Sequence, residues 1–173
     1  MKRLNWGIIG LGGIAQNFSK GFFESTNAKL LAISSKNPEK RKKFENQFNI
    51  EQKFSFSNYE DLVNCKEVDI VYIALPNSLH YEWIVEAIKN KKNILVEKPA
   101  TLNLKEINKV EEYLLNKNLF FGEAYMYRYH PNIRLILDLI ANNEIGNLLS
   151  MESFFGTNIL SKKKFFFFNK KKK

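Results

Sequence analysis

The chain has 173 residues, room for one ordinary domain and the beginning of a second. Hydrophobic residues make up 45% and aromatics 14%, recurring in periodic segments broken by turns, which excludes a disordered or fibrous chain, and no apolar run is long enough to span a bilayer. The formal net charge of +9 is concentrated at one end: Lys162, Lys163, Lys164 and Lys170 to Lys173 lie in the last twelve residues, and without them 20 basic residues face 18 acidic ones, a body of about +2 that argues against nucleic-acid or membrane-surface binding.

Leu4 to Ile9 reads as a strand, Gly10 to Ala15 as a tight turn, and Ile14 to Phe23 as a helix with Phe18 and Phe22 on one face. Met1-Lys2-Arg3 and the apolar run behind it mimic a secretory signal, but cleavage there would remove the first strand and its turn, so the segment is read as structure. Ala28 to Ser34 is a buried strand. Asn37 then caps a helix with Pro38 at its first position and Phe44 and Phe48 on one face. Phe54 to Phe56 is a short strand, and Ser57-Asn58-Tyr59-Glu60 has the spacing of a capping box for a helix through Val63.

Cys65, the lone cysteine, leaves no internal disulfide framework and no cysteine zinc cluster, which suits a reducing cytosol; a cytoplasmic protein without a bound metal is expected. The almost continuous apolar run Asp69 to Leu75 has the length of a strand covered on both faces. A helix from about Leu79 to Asn90 and a strand from Asn93 to Glu97 follow. Asn103 and Glu106 cap a helix carrying Ile107, Val110 and Leu114, and Leu119 to Ala124 is again a strand. Pro131 to Asn142 reads as a helix with Ile133, Ile136, Leu137 and Ile140 inward, and Leu148 to Phe155 as one more strand after the turn at Gly146. Such alternation predicts an α/β protein with a doubly wound parallel sheet of the Rossmann type, because parallel strands need crossover helices.

Gly10-Leu11-Gly12-Gly13-Ile14-Ala15 is a G-x-G-x-x-A pattern set between a strand and a helix. Its first glycine permits the turn, its second lets backbone approach a pyrophosphate, and the small third residue lets helix and strand pack closely. NAD-selective sites place an acidic residue about 20 positions further on, to bind the ribose 2′-hydroxyl. Here that place holds Ser34-Ser35-Lys36, with Arg41 a turn into the next helix; hydroxyls and cations can hold a 2′-phosphate, so NADP is favoured over NAD. A solvated basic loop without a ligand is the alternative at that position.

Two later segments, Tyr72-Ile73-Ala74-Leu75-Pro76-Asn77-Ser78-Leu79-His80 and Ile94-Leu95-Val96-Glu97-Lys98-Pro99, join this turn and Gly122-Glu123-Ala124-Tyr125-Met126-Tyr127-Arg128-Tyr129-His130-Pro131 in a fixed order. Together they resemble the glucose–fructose oxidoreductase and inositol dehydrogenase family (Gfo/Idh/MocA), most of all its dihydrodiol and xylose dehydrogenase branch. The resemblance runs from residue 4 to about 155. It implies an NAD(P)-binding domain over residues 1–124, a junction helix and the first strand of an α+β substrate domain over 125–160, and a low-complexity Lys/Phe tail over 161–173. It also implies hydride transfer between a nicotinamide cofactor and a hydroxyl or carbonyl of a sugar, polyol or related small molecule, and, for a full-length member, a homo-oligomer.

On the same resemblance, Lys98 stands beside the nicotinamide and the substrate hydroxyl as the catalytic residue. A lysine ammonium can stabilise an alkoxide or join a proton relay there. Gly10, Gly12, Gly13, Ile14, Ala15, Ser34, Ser35, Lys36, Arg41, Leu75, Pro76, Asn77, His80, Glu97, Lys98 and Arg128 form the expected cofactor set. His80 is expected to touch the nicotinamide ribose and to cap the next helix, or simply to satisfy that helix start. Glu97 is structural or orients Lys98. Tyr125, Arg128 and His130 fall at the domain junction and contact ligand or serve as hinge and packing. The family's second catalytic residue, a His, Asp or Tyr, belongs to a region these 173 residues do not match, so a C-terminally truncated chain is expected, with a non-catalytic dinucleotide-binding module as the alternative. A membrane-anchoring tail is the rival account of residues 161–173.

Overall fold

Each apolar run pairs in parallel with its neighbours and hands the chain to a helix that crosses back over the sheet. In the computed structural model, which describes residues 3–154 and 156, the strands are β1 (Leu4–Ile9), β2 (Ala28–Ser34), β3 (Ser55–Phe56), β4 (Ile70–Ile73), β5 (Asn93–Val96) and β6 (Phe121–Glu123). They form one sheet in the order β3-β2-β1-β4-β5-β6, all parallel. The helices are α1 (Gly13–Ser19), α2 (Pro38–Phe48), α3 (Tyr59–Asn64), α4 (His80–Lys89), α5 (Leu104–Leu114) and α6 (Pro131–Ala141). The chain divides into two compact units, Met1–Met126 and Tyr127–Lys173. The first unit has the strand order of a doubly wound dinucleotide fold.

Alternation along the strands builds a core on each face of this sheet. Ile8 and Tyr72 join Ile33, Phe44 and Ile50 on the side of α1 and α2. Ile9, Val71 and Ile73 join Leu62, Ile84, Ile88 and Val110 on the side of α3, α4 and α5. The helical spacings meet as expected: Phe18 and Phe22 lie 5.6 Å apart edge to face, Phe44 and Phe48 5.3 Å apart, and Phe18 packs 4.2 Å from Tyr72.

Several boundaries differ from expectation for local reasons. The first helix is α-helical only to Ser19 and continues as a 3-10 turn over Lys20–Phe23. There Ser19 Oγ donates back to the Ala15 carbonyl at 2.8 Å, and Gly21 follows, both of which weaken an α-helix. The cap of α3 is not Ser57 but Asn58, whose side-chain oxygen accepts from the Asp61 N–H at 2.8 Å while its amide donates to the Asp61 carboxylate at 2.7 Å. At α2, Asn37 caps as expected, accepting from the Lys40 N–H at 2.9 Å. At α5, Asn103 accepts from the Glu106 N–H at 3.0 Å, and the Glu106 carboxylate accepts from the Leu102 N–H at 3.0 Å.

In the second unit, Pro131 occupies the first turn of α6 and His130 Nδ1 accepts from the Asn132 N–H at 3.2 Å. The expected inward stripe is not buried: Ile133 and Ile140 are half-covered, and Ile136 and Leu137 are exposed. A helical stripe needs a second element against which to bury. Among the described residues of its own unit α6 has no other α-helix and no strand. The strand expected over Leu148 to Phe155 is likewise not formed over 148–154, where no neighbouring strand supplies a ladder; Phe155 and the 161–173 tail lie outside the described residues. No helix among the described residues is long and apolar enough to cross a membrane, and none of their His, Cys, Asp and Glu residues cluster as a metal site would require.

Candidate functional site

Because all strands are parallel, their carboxyl ends open onto one edge of the sheet, the place where open α/β sheets take ligands. Gly10 leaves β1 at that edge with φ +89°, and its N–H donates to the Ser34 carbonyl at 3.0 Å. A Cβ on Gly10 would sit 2.5 Å from the Ala74 carbonyl oxygen and 2.8 Å from Leu75 Cδ2, so both the backbone and its neighbours require glycine. Gly12 differs. It caps α1 in an ordinary extended conformation, φ −86°, with its carbonyl accepting from the Gln16 N–H at 3.0 Å. A Cβ on Gly12 or Gly13 meets nothing within 4 Å. The protein's own packing therefore asks for no glycine at these two positions, whereas a ligand lying against the backbone would. Ala15, fully buried, supplies the close helix–strand contact, and Ile14 is exposed.

A cleft of about 270 Å³ beside this turn is lined by Gly12, Gly13, Gln16, Lys40, Lys43 and Phe44. Lys40 and Lys43 are site candidates that the sequence reading passed over. Their signal was present in the spacing: at i, i+3 and i+4, Lys40, Lys43 and Phe44 share a helix face, and Phe44 is the one buried residue of α2.

The serine–lysine segment after β2 does not act as one group. Ser34 is fully buried and its hydroxyl donates to the Asn58 carbonyl at 2.5 Å, which takes it out of the set available to a ligand. Ser35 Oγ accepts from the Asn37 N–H at 3.2 Å and keeps its own hydrogen to give. The Arg41 guanidinium curls back to donate to the Ser35 carbonyl at 2.5 Å, and Lys36 is exposed. Ser35, Lys36 and Arg41 are thus brought together around one loop, which Gly10 ties to the glycine turn.

After β4, Leu75 and Pro76 lead into a 3-10 turn over Asn77–Leu79, closed by the Leu79 N–H on the Pro76 carbonyl at 2.9 Å. His80 follows, and it does neither thing expected of it. Its ring is fully buried, with Nδ1 2.7 Å from the Pro99 carbonyl and Nε2 2.8 Å from the Leu75 carbonyl, and no side chain caps α4. No surface of the ring is left for a ribose. A neutral imidazole has one N–H and donates to one of these carbonyls, whereas the imidazolium donates to both.

Glu97 leaves β5 with its N–H on the Ile73 carbonyl at 3.0 Å, and its carboxylate accepts from the Tyr72 hydroxyl at 2.5 Å. Burial, with that carboxylate beside it, pushes the Tyr72 phenol far above its usual range. Glu97 thus has Tyr72 for a partner. Lys98 and Pro99, joined by a cis peptide, are exposed, and among the described residues nothing holds the Lys98 ammonium. The Ala100 N–H donates to the Glu123 carboxylate of β6 at 2.8 Å. Glu123 and Tyr72 are further supports that no local pattern singles out. Arg128 lies in the second unit, in the turn over Met126–Tyr129, and is exposed; Tyr125 belongs to the first unit.

Comparison with known proteins agrees with this fold. Residues 4–125 match the model of the Gfo/Idh/MocA oxidoreductase family with an NAD-binding Rossmann fold. The chain is 34% identical to Oxidoreductase P35 of Formosa agariphila over 87% of its own length and 46% of that protein's. It is 32% identical to D-xylose 1-dehydrogenase (NADP(+)) of Hypocrea jecorina, covering 84% of this chain and 40% of the relative. Scyllo-inositol dehydrogenase from Lactobacillus casei, solved with NAD(H) and scyllo-inositol, superposes with a TM-score of 0.78 at 26% identity, over 84% of this chain and 43% of that one. The chain spans less than half the length of these relatives. It belongs to the Gfo/Idh/MocA oxidoreductase family, as an NAD-binding Rossmann fold.

Proposed function

We propose that this chain binds a nicotinamide dinucleotide, NADP in preference to NAD, and serves as the cofactor-binding portion of an oxidoreductase acting on a hydroxyl or carbonyl of a sugar or polyol. The observation that carries the reading is the open space over Gly12 and Gly13, where glycine answers no need of the protein itself. The pyrophosphate would lie on that backbone, and the 2′-phosphate among the Ser35 hydroxyl, Lys36 and Arg41, with Lys40 and Lys43 adding positive charge from α2. The similarity to a D-xylose dehydrogenase and a scyllo-inositol dehydrogenase supports the substrate class.

When bound, the nicotinamide supplies the hydride chemistry. The chain's own contribution is then Lys98, whose exposed ammonium at the carboxyl end of β5 balances charge on the substrate oxygen as its proton leaves. Leu75, Pro76 and Asn77 form the wall beside the nicotinamide end. Glu97 is a structural support, its carboxylate held by the Tyr72 hydroxyl at the start of the Lys98 loop. A cytoplasmic setting, which the single cysteine supports, and a homo-oligomer for a full-length family member complete the proposal.

Titration calorimetry of the chain with NADPH and NADH tests the reading. Saturable binding of both is expected, tighter for NADPH; a folded sample that binds neither overturns it.

A further inference from the structure

Lys98 carries its charge on a four-carbon stem, so where that charge stands depends on how firmly the backbone beneath it is held. The flanking residues are fixed by strands: the Glu97 N–H by Ile73 of β4, and the Ala100 N–H by the Glu123 carboxylate of β6. Pro99 has no N–H to give. Among the described residues, the bond from the His80 ring to the Pro99 carbonyl is the only hydrogen bond made to the Lys98-Pro99 pair. The ring's other nitrogen reaches the Leu75 carbonyl, in the loop that lies against Gly10.

We infer that His80 is the positioning residue of Lys98: buried between two loops, it fixes the Lys98-Pro99 turn against the Leu75-Pro76-Asn77 loop and so sets the stand of the Lys98 ammonium at the nicotinamide end of the site. The inference rests on the dinucleotide reading only for its consequence in binding. The mechanical tie is independent of it. His80 begins α4, whose Trp83, Ile84, Ala87 and Ile88 are buried, so the ring is anchored on a rigid element and does not drift with either loop.

The role separates from general support by where its loss is felt. In His80→Phe an aromatic ring is kept and both ring nitrogens are gone. Amide exchange at Ala100 is expected to quicken about tenfold, the weight of one net hydrogen bond, while Ile73 and Ile94 in the sheet keep their protection. NADPH binding is expected to weaken about tenfold, with the affinity for 2′-phospho-ADP-ribose, which lacks the nicotinamide, unchanged. His80→Asn places an amide donor where Nδ1 stood and should restore Ala100 protection; His80→Gln reaches in place of Nε2, toward Leu75, and should not.

Even loss of protection across the sheet, parallel weakening of both ligands, or a His80→Phe chain that binds and exchanges as the unaltered one does would each overturn the inference. If His80→Phe does not fold, the Asn and Gln variants carry the test, and equal Ala100 exchange in the two overturns it. If the unaltered chain binds neither ligand, the dinucleotide reading fails, and the exchange comparison alone decides the tie.

Discussion

Two glycines two residues apart in the same turn are held to that identity by different forces, and alanine substitution separates them. In Gly10→Ala, an L-residue is forced to φ +89°, at roughly 1–3 kcal/mol, and its methyl enters at 2.5 Å from the Ala74 carbonyl oxygen. Relief requires the end of β4 to move, straining the 2.9 Å bond from the Ala74 N–H to the Ile9 carbonyl, for about 1–3 kcal/mol more. In Gly12→Ala neither term exists. With φ −86° and nothing within 4 Å, the gain of about 0.4–1 kcal/mol from reduced backbone freedom in the unfolded chain is set against the similar loss of exchanging glycine for alanine at the N-cap of α1, so the net change should stay within about 1 kcal/mol. Urea unfolding followed by far-UV circular dichroism should therefore show a clearly lowered midpoint for Gly10→Ala and a nearly unchanged one for Gly12→Ala. NADPH titration should show the Gly12 variant binding about tenfold or more weakly, because the methyl stands where the pyrophosphate must approach. A Gly12→Ala chain as destabilised as Gly10→Ala, or one that binds NADPH as the unaltered chain does, would refute the reasoning.

Ser34→Ala should cost about 0.5–1.5 kcal/mol of stability, the net worth of the lost bond from the buried Ser34 hydroxyl to the Asn58 carbonyl, and should leave the ratio of NADPH to NADH affinity unchanged in calorimetry. Lys36→Glu should do the reverse, with stability within about 0.5 kcal/mol and the ratio shifted about tenfold or more toward NADH. Tyr72→Phe removes a phenol whose raised folded-state pKa keeps it protonated where the unfolded chain, at about pH 10, ionises. Its contribution is whole below pH 10 and lost above, so the variant's unfolding midpoint should fall less steeply with alkaline pH than that of the unaltered chain. Lys92 is the opposite case. Burial lowers its pKa although its ammonium donates to the Cys65 and Val68 carbonyls at 2.6 and 2.8 Å. Between the folded and unfolded values the unfolded chain holds more protons, so this group adds stability as pH rises towards about 10.4, an increment that Lys92→Met should abolish in pH-dependent denaturation.

Strand identity was legible because adjacent residues serve opposite faces: Ile8 and Ile9, or Tyr72 between Val71 and Ile73, could fill both cores only as covered parallel strands. The cap of α3 was not, since Ser57 and Asn58 each have an acid three residues on, Glu60 and Asp61. The choice was made from outside, where Ser34 holds the Asn58 carbonyl and so keeps Asn58 extended. The same bond removed Ser34 from the ligand set, a fact invisible in a hydroxyl-rich dipeptide. The ligand contact expected of His80 came from the family resemblance alone, and the ring's partner Pro99 is 19 residues away, beyond any local pattern. The stripe of α6 was a correct helical period with an incorrect inference attached: periodicity says which face is apolar, not that anything in this chain covers it.

The sheet ends on its two shortest strands, β3 with two residues and β6 with three. A lateral strand edge is a row of unpaired donors and acceptors, and its hazard grows with its length. Six parallel strands covered by helices therefore offer an incoming chain almost no template on either flank. For this unit, self-association through growth of the sheet is disfavoured by geometry, whatever the apolar content of the strands within it.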